Sequence, residues 1–167
     1  MRAASSKNKT RKIDLYTLAE QLCEHFKGMA QDRGIWLINQ CHGQLDAAPE
    51  PLRRARANLI INALRYEASN SPVVVSTEIN PNSMSLWVHN HGTPIEAGHL
   101  PNLFERFYHC YASRHQPDDS GGLGLAIVRS VIHAHMSEVK IKSNVQETVF
   151  SLRPHLKTTK IPVTVST

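Results

Sequence analysis

Residues 73–88 can do little other than form a β-hairpin, and that requirement organises the rest of the chain. Val73 to Ile79 alternates and is rich in β-branched side chains, which suit a pleated strand. Asn80-Pro81-Asn82-Ser83 follows as a run of turn formers. Met84, Leu86 and Val88 then place an apolar residue at every second position, so the returning strand has one apolar face. A single hairpin of this kind is marginal in water, so other elements must cover it.

The flanking segments supply that cover. Leu15, Leu18, Leu22, Phe26 and Met29 recur at helical spacing and predict a helix from Asp14 to Ala30. Asp14 is placed to cap it and Gly34 to stop it. Short extended pieces are expected at Ile35–Asn39 and Gly43–Leu45. Pro49 and Pro51 open a second helix, where a missing N–H does no harm. It is expected to run to about Ala68, with Leu52, Ala55, Leu59, Ala63 and Tyr66 on its packed side. Leu100–Phe107 reads as a short helical turn, and Tyr108–Ser120 as a long polar loop of the kind that usually carries a function. An apolar helix over Leu125–Met136 and strands at Val139–Lys142 and Thr148–Leu152 complete the pattern. The order predicts an α/β (α+β) two-layer sandwich, with one mixed sheet and helices on one face. The body is expected over residues 13–155, after a basic leader (1–12) and before a C-terminal tail (156–167).

Composition removes several function classes. With 41% hydrophobic and 20% charged residues, the chain can build a packed core. The net charge of +5 invites a nucleic-acid reading. However, Arg2, Lys7, Lys9, Arg11 and Lys12 sit in the leader, and Lys157 and Lys160 in the tail. The remainder is close to neutral and has no basic stripe with interleaved aromatics, so no nucleic-acid partner is expected. No apolar run approaches the ~20 residues that span a bilayer, and the leader lacks the apolar stretch of a signal peptide. No membrane contact by this segment is expected. Cys23, Cys41 and Cys110 are odd in number, far apart and without a CxxC pair, which fits reduced thiols in a cytoplasmic setting. The ten histidines show no zinc-type spacing; His89 and His91, on one strand face, are the pair to watch.

Three segments carry chemistry. In Asn58-Leu-Ile-Ile-Asn62-Ala-Leu-Arg65-Tyr66, helical spacing lines Asn58, Asn62 and Arg65 or Tyr66 along one side of the second helix. Two carboxamides inside an otherwise Ala/Leu/Ile stretch have two readings. They are hydrogen-bonded core amides, or neutral oxygen ligands suited to Mg²⁺ beside phosphate. In Val88-His89-Asn90-His91-Gly92-Thr93-Pro94-Ile95, a polar side chain arrives at the end of an apolar strand face. Asn90 there either ends the strand in an Asn-turn or accepts a donor such as the exocyclic amine of adenine. In Ser120-Gly121-Gly122-Leu123-Gly124-Leu125, glycines precede an apolar helix, whose free N–H groups suit phosphate. The run is neither a P-loop, lacking Lys-Ser/Thr, nor a Rossmann fingerprint, lacking a preceding strand.

The order of these segments resembles the four boxes of the histidine kinase catalytic domains in the GHKL (Bergerat) ATPase superfamily. Asn58–Tyr66 resembles the N box, Asn90–Ile95 the G1 box, Leu103–Tyr108 the F box and Ser120–Leu125 the G2 box. The resemblance covers roughly residues 13 to 154, and the wording from Asn90 to Tyr108 is most similar to the heavy-metal (copper/silver) sensor kinase branch. It implies ATP and Mg as cofactors. Asn62 would coordinate Mg²⁺, and Asn58 would support the metal or the phosphates. Arg65 would contact phosphate and Tyr66 would flank the nucleotide. Asn90 would read adenine over a floor made by Gly92, with Ile95 beside it. Phe104 and Phe107 would anchor a lid over 108–120, and Gly122, Leu123, Gly124 and Leu125 would bring the helix start to the phosphates. For Arg114, a γ-phosphate contact and an ordinary solvated loop arginine both remain open.

The resemblance also implies a γ-phosphoryl transfer to a histidine on a separate dimerisation domain, and then a response regulator as partner. No histidine here stands in an H-E-x-x-T-P context, so the phosphoacceptor is expected outside this segment, and little turnover is expected from the segment alone. The parent is expected to be an inner-membrane sensor with this domain in the cytoplasm. Asn90 stands where the pattern has Asp, Ser120 where it has Gly, and His135-Met136-Ser137 where it has His-Gly-Gly. Those departures motivate an alternative, a degenerate nucleotide-binding or scaffolding module without phosphotransfer.

Overall fold

The computed structural model describes residues 9–108 and 124–154. Helix α1 (Leu15–Asp32) begins where the Asp14 carboxylate accepts the Thr17 backbone N–H at 2.8 Å. That hydrogen bond holds the Asp14 carboxyl below its usual value. The helix stops before Gly34, whose φ of +64° is the left-handed turn that glycine tolerates. Leu15, Leu18, Leu22 and Phe26 are buried as the spacing predicts. The stripe then continues four residues on, to Ala30, and leaves Met29 exposed rather than packed.

Helix α2 (Pro49–Tyr66) has proline in its first turn and ends two residues sooner than expected, since Glu67 is already extended. Leu52, Ala55, Leu59 and Ala63 are fully buried, whereas Tyr66 faces outward. Five strands form one sheet in the order β2 (Trp36–Gln40), β4 (Pro72–Asn80), β5 (Ser83–Asn90), β7 (Thr148–Pro154), β6 (Met136–Ser143). β2 and β4 are parallel and every other neighbouring pair is antiparallel, so the sheet is mixed as expected. The predicted hairpin is β4–β5, with Val75 opposite Val88 and Thr77 opposite Leu86.

Val73, Val75, Leu86, Val88, Phe150 and Leu152 make the covered face, packed in one core with Leu18, Leu22, Leu59, Val128 and Ile132 of α1, α2 and α3 (Gly124–His135). Burial of this contiguous apolar area is the main stabilising term. One feature departs from the single expected sheet. Arg11–Asp14 forms β1, which pairs antiparallel with β3 (Gln44–Ala47) in a separate two-stranded ribbon. Of β1 only Ile13 is buried, so four residues offered too little alternation to read. Leu100–Asn102 is a single 3₁₀ turn, shorter than the helical turn expected there.

Candidate functional site

The core fixes which side of α2 is free. Leu59, Ile60, Ala63 and Leu64 are fully buried, so Asn58, Asn62 and Arg65 fall on a half-exposed flank. Asn58 spends its Nδ2–H on the Arg54 carbonyl one turn back, at 2.8 Å. Its Oδ1 is then turned toward the start of α3. A Cβ added to Gly124 would lie 3.3 Å from that oxygen, so the glycine-rich helix start meets the amide-bearing helix at Asn58.

The strand-end segment meets the other end of the same helix. A Cβ at Gly92 would overlap the carbonyl oxygen of Tyr66, so only glycine allows this approach. His91 N–H donates to Glu67 Oε2 at 2.8 Å, and Glu67 Oε1 accepts Ala68 N–H at 2.9 Å and the Ser71 hydroxyl. The Glu67 side chain is wholly buried. Farther on, Ile95 N–H donates to Ser143 Oγ at 2.8 Å, and Ser143 Oγ lies 2.7 Å from Thr148 Oγ1. Residues 91–95 are thus tied to α2 at one end and to the β6–β7 turn region at the other.

Asn90 closes β5 opposite Thr148 and is 2% exposed. Its Nδ2 is buried with no hydrogen-bond partner. An unmet buried amide is costly, about 1–3 kcal/mol, and marks a place where a ligand group can repay the desolvation. The unmet end is the donor, not the acceptor oxygen that the sequence suggested. A half-turn about the last side-chain bond exchanges the two, and a purine edge with an amine beside a ring nitrogen can satisfy either.

The remaining expected positions divide. Phe104 packs edge-on against Phe150 with ring centroids 6.4 Å apart, and Leu103 is buried, so the F-box segment is anchored to the core. Glu105 pairs with Arg129 of α3. Phe107, by contrast, is 69% exposed and has a φ of +63°, an uncommon conformation for an aromatic residue. It is not packed as an anchor. Gly124 and Leu125 open α3. Gly122, Leu123, Ser120 and Arg114, with most of the expected lid, lie outside the described residues. A cleft of about 320 Å³ lies between α2 and α3, lined by Arg54, Arg106, Ala126, Ile127, Ser130 and Val131. Neither Asn62 nor Asn90 lines it.

His89 and His91 lie beside different carboxylates. His89 Nδ1 lies 3.3 Å from Glu147, and His91 Nδ1 lies 3.9 Å from Glu67, a different carboxylate. Among the described residues no cluster of three potential metal ligands exists. No described helix is long and apolar enough to cross a membrane.

Sequence reading missed Glu67, Ser143 and Thr148. Glu67 follows Tyr66 directly, within the span expected to be helix. An acidic residue just past a helix, ahead of Ala-Ser-Asn-Ser, was the available sign. Ser143 and Thr148 meet Ile95 and Asn90 only through sheet pairing, which spacing along the chain does not reveal.

Comparison with known proteins agrees with this geometry. Residues 47–158 match the family described as histidine kinase-, DNA gyrase B-, and HSP90-like ATPase. The chain is 39% identical over 130 residues to the sensor histidine kinase CusS of Escherichia coli K12, covering 76% of this chain and 27% of that protein. It is 30% identical over 149 residues to the sensor protein IrlS of Burkholderia pseudomallei K96243, covering 89% of this chain and 30% of that protein. The chain therefore spans just over a quarter of the length of these relatives. In fold it is similar to the mycobacterial sensor histidine kinase MprB, with TM-score 0.75, 22% identity, and coverage of 86% of this chain and 97% of that one. It is likewise similar to the Acinetobacter baumannii histidine kinase AdeS, with TM-score 0.74, 17% identity, and coverage of 89% and 68%. A mixed sheet backed by three helices, with both glycine-bearing segments brought to one amide-bearing helix, thus belongs to a chain of the histidine kinase-, DNA gyrase B- and HSP90-like ATPase family.

Proposed function

We propose that this domain binds ATP with Mg²⁺ along the exposed flank of α2 and presents the γ-phosphoryl group to a histidine on a separate dimerisation domain. The observation that carries the reading is the pair of close approaches to α2. Gly92 contacts its C-terminal end at Tyr66, and Gly124 contacts Asn58 two turns earlier. That stretch is about 12 Å long, on the order of an extended nucleoside triphosphate. The base then belongs at the Asn90–Gly92 end and the phosphates at the Asn58–Gly124 end.

Each residue has a task in this arrangement. Asn90 hydrogen-bonds the base edge, and Gly92 holds that strand end against the end of α2. Tyr66 and Ile95 flank the nucleoside. Arg65 adds positive charge to the flank. The start of α3, at Gly124 and Leu125, offers backbone N–H groups and the positive end of the helix dipole, and Gly122 and Leu123 ahead of it would join them at the phosphates. Phe107, exposed at the edge of the expected lid, would pack on bound nucleotide. Asn62 would hold Mg²⁺ through its amide oxygen, with Asn58 beside it. When bound, the metal supplies charge neutralisation at the β- and γ-phosphates. The chain contributes positioning and electrostatics, while nucleophile and base come from the acceptor domain.

The wider reading is a two-component transferase: a cytoplasmic catalytic domain of a membrane sensor that, through its acceptor histidine, supplies a response regulator. A binding-only or scaffolding module is the second reading, favoured by Asn90 standing where the family pattern has a carboxylate. Adding a dimerisation domain in trans with labelled ATP separates them. Transfer of label to its histidine supports the kinase reading. Nucleotide binding without any transfer supports the second.

A further inference from the structure

Arg56 is the least expected residue in the core. It is 1% exposed, yet an arginine side chain stays protonated in proteins. Its position follows from spacing: Leu52, Arg56, Leu59 and Ala63 fall on one stripe of α2, and that stripe faces the core. No carboxylate is seen in an ion pair with it among the described residues. Nη2 donates to Cys41 Sγ at 3.0 Å, while Nε and Nη1 are buried with no partner. A buried guanidinium whose only acceptor is a sulfur is short of negative charge and of oxygen acceptors alike.

We propose that Cys41 is an oxidation site, whose sulfur oxyacid is held by the unmet donors of Arg56. A hydroperoxide is the oxidant. The Cys41 sulfur attacks one peroxide oxygen as its thiolate; the S–O bond forms as the O–O bond breaks, and the proton given up by the thiol leaves with the departing oxygen as water or alcohol. Sulfur loses two electrons and the peroxide gains them, giving the sulfenic acid. A second equivalent gives the sulfinic acid, which releases its proton to become an anion. That anion brings negative charge to the guanidinium and an oxygen within reach of one of its two unmet donors. Cys23 provides an internal control, since it is as buried as Cys41 (9% against 5% exposed) and differs in lacking the Arg56 donor. Burial and then the nearby Glu20 carboxylate push its thiol up to about 11, so it remains a weak nucleophile at neutral pH.

The test is a hydrogen peroxide titration of the folded chain at neutral pH, read by peptide mass mapping. The expected result is one and then two added oxygens on Cys41, with Cys23 unmodified. In Arg56→Leu, which fills the same stripe with an apolar side chain, oxidation of Cys41 is expected to slow about tenfold while the melting temperature holds or rises. Arg56→Lys keeps a charge without the paired donors and is expected to fall between the two. Equal rates for Cys41 in all three proteins would overturn the proposal. So would preferential oxidation of Cys23, or a Cys23–Cys41 disulfide as the main product.

Discussion

Gly92 and Tyr66 touch backbone to backbone: the α-carbon of one sits where any side chain would collide with the carbonyl oxygen of the other. The contact fixes the strand-end segment to the end of α2, and so fixes Asn90 relative to the flank that carries Asn62. Gly92→Ala is expected to cost about 2 kcal/mol of stability through this overlap. It should also weaken adenine-nucleotide binding by about tenfold or more. Urea denaturation and fluorescence titration with an ATP analogue measure the two effects separately.

Glu67 is expected to matter as much as the glycine. Its buried carboxylate gathers the N–H groups of Ala68 and His91 and the Ser71 hydroxyl. Removing it strands two backbone donors, so Glu67→Ala should destabilise the chain by about 2–3 kcal/mol. Glu67→Gln keeps one acceptor and should recover roughly half of that loss. Chemical denaturation of the three proteins checks the ranking, and an alanine variant as stable as the parent would remove Glu67 from the account.

The cap on α1 gives a pH prediction. The folded-state value of Asp14 is lowered, chiefly by the hydrogen bond from Thr17 N–H. A lowered value means that the contribution is complete above the unfolded-state pKa of roughly 4 and is lost as pH falls through the folded-state value. Asp14→Ala should therefore lower the melting temperature at pH 7, and the gap between the two proteins should close below about pH 4. A gap that stays constant with pH would contradict the cap.

Gly124 tests the other end of the flank. An alanine there would put its Cβ 3.3 Å from Asn58 Oδ1, tight enough that the amide must shift by a few tenths of an ångström. The fold should survive, while affinity for the triphosphate should fall more than affinity for adenosine. Paired titrations with ATP analogue and adenosine read that difference.

The parts of the fold that were legible share a physical cause. Val73–Ile79 and Met84–Val88 each expose their period, and the turn between them has the composition a turn needs, so the hairpin could be read directly. The flank of α2 was legible because Asn58 and Asn62 interrupt a stretch, Ala57 to Leu64, whose other residues are apolar. Arg56 shows the converse. Beside Arg53 and Arg54 it looks like part of a solvated basic face, yet its spacing from Leu52 and Leu59 places it on the core stripe. Composition and periodicity disagreed at that position, and periodicity decided the structure. Glu67 and Ser143 were not legible because their partners, His91 and Ile95, are 24 and 48 residues away and reach them only through the fold.

The most direct test of the whole account is titration of a non-hydrolysable ATP analogue into the chain with and without Mg²⁺, repeated with Asn62→Ala. The parent should bind, and bind more tightly with Mg²⁺, while the variant should lose most of that metal-dependent gain and keep its melting temperature within a few degrees. No binding at millimolar nucleotide, or a metal dependence unchanged by Asn62→Ala, would contradict a nucleotide lying along α2.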